Sequence, residues 1–219
     1  RIMAELTGRE DGYSAGKGGS MHMFSKENNF YGGHGIVGAQ VPIGTGIAFT
    51  HKYNGEKNIC RTYIGDGAMN NGQVFEAFNL AALWKLPVLY IIENNKYGMG
   101  TSVDRAAAGL DLYKRGEAFG IPGEKVDGMN VFSVIEAADK AGKYVREGNG
   151  PYIIEVQTYR YRGHSMSDPA KYRTKEELEN YKQTDPIEIV KAEILKKKIA
   201  TSDEIEKINK DTLEEIKNA

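Results

Sequence analysis

Two short polar segments in the middle of the chain place oxygen ligands just after apolar runs. Asp66 stands in a Gly-Asp-Gly run, and Asn95 follows the apolar residues 88–92. The main chain near Tyr97 adds a carbonyl oxygen. A carboxylate, an amide oxygen and a carbonyl are hard ligands that suit Mg²⁺ or Ca²⁺, and Mg²⁺ usually completes its shell with phosphate and water. These residue types predict a divalent cation that holds a diphosphate.

The elements that must position these ligands are a strand over residues 58–64, a helix over residues 73–86 and a strand over residues 88–92. Two strands joined through a helix are expected to be parallel neighbours with a right-handed crossover. Asp66 and Asn95 then lie at the same carboxyl edge, where open α/β folds bind ligands. The two glycines beside Asp66 let the main chain approach a ligand, and the N-terminus of the following helix favours an anion. An ordinary Asp-Gly turn and an Asn-Asn loop are the alternative interpretation.

A second group of chemically active side chains follows a strand predicted over residues 152–158. The loop over residues 159–172 carries Arg160, Arg162, His164, Ser165 and Asp168. An imidazole can donate to a developing alkoxide or move protons near neutral pH. One histidine beside arginines after a strand suggests catalysis but is not specific for it, and simple hydrogen bonding within the loop is the alternative for Ser165.

The remaining pattern predicts an α/β fold, a mostly parallel sheet with helices on both faces. Residues 36–53 predict a helix rich in small residues. Each glycine costs a helix about 1 kcal/mol relative to alanine, and a helix tolerates this cost where close packing demands small residues. Further helices are predicted over residues 1–9, 110–119, 131–147, 174–181, 186–199 and 202–218, with glycine-containing loops over 10–35 and 96–108. We expect one α/β domain over residues 1–170 and a helical extension over residues 171–219 packed on it.

Composition excludes several classes of protein. The chain has 219 residues, 40% of them hydrophobic, which is enough for a substantial core. A formal net charge of −1 gives no basic footprint for nucleic acid, and no apolar run reaches membrane-spanning length. The one cysteine, Cys60, excludes an internal disulfide framework and fits a reducing compartment.

The spacing between the two polar segments resembles that of a known family. One strand–helix unit of 26 residues separates Gly67 from Asn94, and Gly-Asp-Gly, this interval and Asn-Asn resemble the thiamine diphosphate motif. Over nearly its whole length the sequence resembles the alpha subunit of the pyruvate dehydrogenase component of the 2-oxo acid dehydrogenase complexes. The resemblance includes Gly-Gly-Ser-Met-His-Met at 18–23, Gly-Ile-Val-Gly-Ala-Gln at 35–40, Ala-Ala-Leu-Trp-Lys-Leu-Pro at 81–87 and Tyr-Arg-Gly-His-Ser-Met-Ser-Asp-Pro at 161–169.

The resemblance implies a thiamine diphosphate-binding fold and assigns the metal and phosphate contacts. Asp66, Asn95 and the main chain at Tyr97 would anchor Mg²⁺. Gly67 and Ala68 would contact the phosphates through their backbone groups. The cofactors expected for this chain are therefore thiamine diphosphate and Mg²⁺.

The resemblance also implies roles outside the metal site. Gly35 and Val37 would lend main-chain contacts to the aminopyrimidine side of the cofactor. His164 matches the family's active-site histidine, expected near the diphosphate and the reacting centre. Ser165 and Ser102 match positions that mitochondrial members phosphorylate. A phosphate on Ser165 would add charge beside a bound diphosphate and so disfavour that site.

The activity implied by the resemblance is oxidative decarboxylation of pyruvate, with transfer of the acetyl group to a lipoyl group on the acyltransferase component. The expected assembly contains two alpha and two beta subunits. A family Tyr-Arg pair that contacts the cofactor is expected upstream of Arg1, in a part that this N-terminally truncated chain lacks. The glutamate that activates the aminopyrimidine is expected in the beta subunit, so the chain alone is expected to be inactive. The expected location is the bacterial cytoplasm, with the mitochondrial matrix as the alternative.

Three alternatives remain beside the pyruvate assignment. Alpha subunits of acetoin and branched-chain 2-oxo acid dehydrogenases are the nearest, although residues 98–103 and 163–168 resemble pyruvate enzymes more closely and the branched-chain type usually differs at Gly-Asp-Gly. A nucleotide or phosphosugar enzyme would need a P-loop or a dinucleotide glycine fingerprint, and residues 65–70 are neither. A non-catalytic assembly subunit is the third, against which intact Asp66, Asn95 and His164 argue.

Overall fold

The computed structural model describes residues 1–218, which divide into two compact units. The first unit combines Arg1–Ile36 with residues 187–218, and the second is Val37–Pro186. The domain bounds 1–170 and 171–219 expected from the sequence stay a prediction.

Residues 1–218 form eight α-helices, six strands and three 3₁₀ helices. The α-helices are α1 Ile2–Leu6, α2 Gln40–Tyr53, α3 Gly72–Leu83, α4 Val103–Ala106, α5 Val131–Arg146, α6 Lys175–Lys182, α7 Pro186–Lys196 and α8 Ser202–Asn218. The strands are β1 Cys60–Gly65, β2 Val88–Asn94, β3 Tyr97–Gly98, β4 Thr101–Ser102, β5 Gly123–Asp127 and β6 Tyr152–Gln157. Short 3₁₀ helices cover Lys26–Asn28, Ala68–Asn70 and Leu112–Phe119.

The central sheet has the strand order β1-β2-β6-β5, and each neighbouring pair is parallel. Gly65 at the end of β1 is in register with Glu93, and Asn94 at the end of β2 is in register with Gln157 of β6. The prediction that the strands carrying Asp66 and Asn95 are parallel neighbours is therefore confirmed. Their carboxyl ends, and that of β6, share one edge of the sheet.

Helices cover the sheet on both faces because the central strand β2 presents apolar side chains to both of them. On one face Val88, Tyr90 and Ile92 pack into a core with residues of α2 and α3. On the other face Leu89 and Ile154 pack with residues of α5. The predicted α/β class, a mostly parallel sheet with helices on both faces, is confirmed.

Several element bounds differ from those expected. The helix expected over 36–53 begins only at Gln40, because Gly38 adopts a φ of 87°, outside the right-handed helical region. The helix expected over 73–86 ends at Leu83, and Lys85 beyond it has a φ of 45°. The short helix expected over 110–119 is a 3₁₀ helix that begins at Leu112.

The sequence analysis missed β5 and the β3–β4 hairpin. β5 has the sequence Gly-Glu-Lys-Val-Asp, and its one buried side chain, Val126, gives too weak an apolar pattern to reveal a strand. β3 and β4 are two residues each, in antiparallel register, inside a segment expected to be a loop.

Within the first unit, one carboxylate orders the glycine-rich segment. Glu5 is 1% exposed. Its two carboxylate oxygens accept hydrogen bonds from the backbone N–H groups of Ser14, Gly16 and Gly18 at 2.7, 3.0 and 2.6 Å. These bonds replace the backbone hydrogen bonds of a helix or strand, which the segment lacks.

Among residues 1–218, no helix has both the length and the apolar character that crossing a membrane requires.

Candidate functional site

The carboxyl edge of the sheet brings Asp66 beside the β3 hairpin. Asp66 follows β1 directly and is 3% exposed. A Cβ added to Gly98 would lie 3.4 Å from the Cα of Gly67 and 3.9 Å from Oδ2 of Asp66. The main chains at Gly67 and Gly98 therefore lie side by side, close to the carboxylate of Asp66.

The carboxylate of Asp66 is poorly solvated. Burial raises its pKa, and the backbone N–H groups of Asp66 and Gly67, with the positive charges of Arg160 and Lys96, act in the opposite direction. Among the ion pairs of residues 1–218, none includes Asp66. A buried carboxylate without a direct ion pair is a group that a cation would stabilise.

The two asparagines after β2 have different environments. Asn94 is 1% exposed, and its Nδ2 donates to Oε1 of the fully buried Glu155 at 2.8 Å. Asn95 is half-buried, and its Oδ1 accepts the backbone N–H of Tyr97 at 3.3 Å. Asn94 is therefore committed to the interior of the sheet, and Asn95 is the member of the pair left at the edge, as predicted from the sequence.

Arg160 ties this edge to the loop after β6. Its Nη1 donates to the carbonyl oxygen of Tyr97 at 3.2 Å, and its Nη2 donates to the carbonyl oxygen of Met99 at 2.6 Å. Its Nε is buried and has no hydrogen-bond partner in the described part of the chain. Arg160 was not assigned to the site from the sequence. The available signal was its position three residues after β6, the strand that pairs with β2.

The segment after Asp66 forms a turn that leads into α3. A 3₁₀ helix, Ala68–Asn70, precedes α3, and Arg115 donates to the carbonyl oxygen of Met69 at 2.7 Å. The start of α3 is capped by Asn71, whose Oδ1 accepts the N–H of Gln73 at 3.3 Å. The helix expected from residue 73 therefore begins at Gly72, and a 3₁₀ turn lies between it and Gly-Asp-Gly.

The remaining predicted cofactor contacts lie apart from this group in the chain. Gly35 belongs to the first unit, where a Cβ added to it would lie 3.3 Å from ring atoms of His22. Val37 belongs to the second unit, and its carbonyl oxygen accepts hydrogen bonds from Asn71 Nδ2 at 3.0 Å and Gln73 Nε2 at 3.2 Å. Their roles toward the aminopyrimidine stay predictions.

His164 and the two serines are positioned by their own segments. His164 is exposed, and its backbone N–H donates to Oδ2 of Asp168 at 2.7 Å. Among the described residues, no hydrogen bond joins its imidazole to Asp66. Ser165 is exposed with its Oγ 3.0 Å from that of Ser167, and Ser102 pairs with Tyr97 across the β3–β4 hairpin. The catalytic role of His164 and phosphorylation of either serine stay predictions.

The predicted metal ligands include only one side chain of the usual metal-binding types, the carboxylate of Asp66. Within residues 1–218, no group of three or more His, Cys, Asp or Glu side chains could hold a metal ion. The predicted set has one carboxylate, one amide oxygen and one main-chain carbonyl, and Mg²⁺ sites commonly use few protein ligands together with substrate phosphates. A buried carboxylate, an orphaned Arg160 donor and nearby positive charge fit a cation bound with an anionic ligand.

These features define an α/β protein whose candidate site lies at the carboxyl edge of a doubly covered parallel sheet. The chain belongs to the dehydrogenase E1 component family, whose model matches residues 1–219.

Named relatives from bacteria and from mitochondria share most of this sequence. The chain is 61% identical over 218 residues to a pyruvate dehydrogenase E1 component subunit alpha of Rickettsia felis, covering 100% of this chain and 67% of the relative. It is 56% identical over 220 residues to the mitochondrial somatic form of that subunit in Homo sapiens, covering 100% of this chain and 55% of the relative. The chain thus spans little more than half to two thirds of the relatives it matches.

A solved structure overlaps part of the chain. It comes from Mycobacterium smegmatis and is provisionally described as a thiamin diphosphate-dependent enzyme, with 25% identity and a TM-score of 0.47 over 60% of this chain and 24% of that one. The fold assignment above rests on the strand order of this chain and on the family match.

Proposed function

We propose that this chain is the thiamine diphosphate-binding part of a pyruvate dehydrogenase alpha subunit, contributing half of a site that a beta subunit completes. The observation that carries the proposal is the buried Asp66, free of ion pairs in the described residues, at the edge it shares with Asn95 and the Tyr97 carbonyl. The family and the names of the relatives support the same assignment.

The chain's own groups would act by holding and neutralising a charged ligand. Asp66, Asn95 and the carbonyl oxygen of Tyr97 would hold Mg²⁺, which a diphosphate would complete. Arg160 and Lys96 add positive charge near Asp66, which favours an anion at the same edge. When bound, thiamine diphosphate supplies the carbanion chemistry that decarboxylates a 2-oxo acid, while the protein contributes binding and orientation.

The remaining parts of the proposal concern the whole protein. The substrate would be pyruvate, the acetyl group would pass to a lipoyl group on an acyltransferase component, and two alpha subunits would assemble with two beta subunits. His164 would donate or accept a proton near the reacting centre. The compartment would be the bacterial cytoplasm, with the mitochondrial matrix as the alternative, since named relatives come from both sources.

The test is a calorimetric titration of thiamine diphosphate with MgCl₂ into the chain, alone and with a co-expressed beta subunit. We expect binding in the co-expressed complex that disappears when Mg²⁺ is chelated or Asp66 is replaced in Asp66→Ala. Asn95→Ala should weaken binding at least tenfold. Binding that survives both chelation and Asp66→Ala would show that this edge is not the metal site.

Substrate choice needs a separate measurement on the same complex. Rates of reduction of an artificial electron acceptor with pyruvate, a branched-chain 2-oxo acid or acetoin as the substrate distinguish the proposed activity from its two close alternatives. Faster turnover of either competitor at equal concentration would replace the pyruvate assignment and leave the cofactor assignment in place. Bound cofactor without turnover of any of the three would favour the non-catalytic subunit.

A further inference from the structure

One carboxylate joins the two segments that form the candidate site. Glu177 lies in the first turn of α6, and its Oε1 accepts the hydroxyl of Tyr97 at 2.9 Å and the hydroxyl of Tyr159 at 3.0 Å. Its Oε2 is 3.0 Å from the Tyr97 hydroxyl. Tyr97 begins the β3 hairpin, and Tyr159 begins the loop that carries His164, so a single side chain from a third element bonds to both.

Both hydroxyls are suited to be donors to a carboxylate. Tyr97 is 9% exposed and Tyr159 is 6% exposed. Burial, reinforced by the negative charge of Glu177, raises the pKa of each tyrosine to about 12. Both phenols are therefore neutral near pH 7, and each supplies an O–H to a charged acceptor, the stronger class of hydrogen bond.

Other side chains hold α6 in place against the same loop. Arg173, four residues before Glu177, donates from Nη2 to the carbonyl oxygen of Tyr161 at 2.5 Å, and from Nη1 to the carbonyl oxygen of Arg160. Its guanidinium lies 5.2 Å from the centre of the Tyr159 ring. Tyr181, four residues after Glu177, stacks on Tyr159 with ring centres 3.9 Å apart. Glu177 and Tyr181, spaced by four, lie on one face of α6. Arg173 lies just before the helix, so Tyr159 is held by α6 and by the residue that precedes its N-cap.

The link matters because of what Tyr97 contributes through its main chain. The Tyr97 carbonyl is the predicted third oxygen ligand, and it already accepts a hydrogen bond from Arg160 in the same loop. The side chain of Tyr97 is held by Glu177, and its backbone N–H by Asn95. Tyr97 is thus held through its N–H, its carbonyl oxygen and its side chain, and a shift at Glu177 would move the carbonyl.

We propose that Glu177 is a positioning residue that holds the Tyr97 carbonyl and the start of the His164 loop in register for the cofactor. The link between the segments is a property of the chain itself. Its consequence for cofactor binding rests on the proposed function. Replacing Glu177 should release both segments together rather than one of them, because the two hydroxyls share its carboxylate.

The first test needs no cofactor. Hydrogen exchange is measured on the complex with its beta subunit, in the wild type, Glu177→Ala and Glu177→Gln, with Glu176→Gln as the matched control. Glu176 is the neighbouring glutamate in the same helical turn and is exposed. We expect exchange at residues 97–102 and 159–165 to rise about tenfold or more in Glu177→Ala, less in Glu177→Gln, which keeps one acceptor oxygen, and not at all in Glu176→Gln.

The two measurements test the link made by Glu177 and the binding of the proposed cofactor separately. A rise confined to one of the two segments, or an equal rise in Glu176→Gln, would overturn the proposal. If Glu177→Ala fails to fold, the Glu177→Gln comparison decides. Titration with thiamine diphosphate and Mg²⁺ then tests the consequence, with an expected loss of affinity of about tenfold in Glu177→Ala. If the wild type binds no cofactor, the proposed function is overturned. The hydrogen-exchange result then still tests whether Glu177 links the two segments.

A double-mutant comparison distinguishes shared positioning from general loosening. Tyr97→Phe and Tyr159→Phe each remove one hydroxyl while keeping the ring. In the wild-type background their effects on exchange should be non-additive, because the carboxylate couples them. In the Glu177→Ala background both substitutions should have little further effect. Additive effects in both backgrounds would contradict the role given to Glu177.

Discussion

Asn94 and Glu155 form a buried amide–carboxylate pair, with Nδ2 of Asn94 2.8 Å from Oε1 of Glu155. The two residues lie on the neighbouring strands β2 and β6, and both are almost fully buried. The other carboxylate oxygen accepts the backbone N–H of Tyr113 at 3.1 Å. This pair fixes one asparagine of the Asn-Asn segment inside the fold and leaves the next one at the sheet edge.

Substitutions of the two asparagines should therefore affect different properties. Asn94→Ala removes a partner of a buried carboxylate, and we expect the free energy of unfolding to fall by about 2 kcal/mol or more. Asn95→Ala should leave stability within about 0.5 kcal/mol and weaken Mg²⁺-dependent binding of thiamine diphosphate at least tenfold. Urea unfolding measures the first effect and calorimetry the second. The reverse pattern would assign the ligand role to Asn94.

Asp66 should be a residue that costs stability in the cofactor-free protein. Burial raises its pKa, so the folded chain binds this proton more tightly than the unfolded chain. The contribution of the protonated Asp66 to the free energy of unfolding is fully present at pH values below its pKa in the unfolded chain. This contribution is lost as the pH rises through its pKa in the folded chain. At pH 7 the ionised carboxylate is therefore unfavourable, and Asp66→Asn should raise the melting temperature by at most a few degrees.

The same substitution should abolish Mg²⁺-dependent cofactor binding, because an amide contributes no negative charge to the cation. Thermal melts without ligand and calorimetry with ligand are compared for the wild type and Asp66→Asn. A clear drop in the melting temperature of the free variant would mean that Asp66 stabilises the fold through its charge, which contradicts the cost assigned to it.

The sheet edge could be predicted from local sequence because its causes are local. An apolar run over residues 88–92, preceded by a helix and a proline, leaves little choice but a buried parallel strand. The strand then carries Asn95 to the edge that Asp66 shares. β5 could not be found in this way, because its pairing with β6 is through the main chain and only Val126 is buried.

The contribution of Glu177 depends on contacts between distant positions. Tyr97 and Glu177 are 80 positions apart in sequence, and Arg160 is 63 positions from Tyr97. Neither spacing follows from periodicity or turn chemistry. The first turn of α6 has the sequence of an ordinary capped, acidic helix start, and Thr174 caps it by accepting the N–H of Glu177. Which of its glutamates faces the site is decided only by the packing of α6.

The thiol of Cys60 should be slow to react in the folded chain. Burial raises its pKa, and the neighbouring Thr62 hydroxyl, 3.7 Å from Sγ, opposes this only in part. Because the thiolate is the reactive form, native modification should keep accelerating as the pH rises past the ordinary thiol pKa. The urea-unfolded chain should level off there. Disulfide-exchange kinetics with an aromatic reagent compare the two, and matching pH profiles would contradict the burial effect.

Alanine substitutions at two glycines of α2 should distinguish the effect of packing on stability from the effect of helix propensity. A Cβ at Gly44 would lie 3.1 Å from Cβ of Thr62 in β1 and closer still to its Oγ1, whereas a Cβ at Gly46 would meet nothing within 4 Å. Gly44→Ala should therefore lower the free energy of unfolding by about 1–3 kcal/mol through overpacking. Gly46→Ala should raise it by up to about 1 kcal/mol, since alanine favours a helix. Urea unfolding of both variants checks the pair. Equal effects would mean that α2 does not depend on a glycine for its approach to β1.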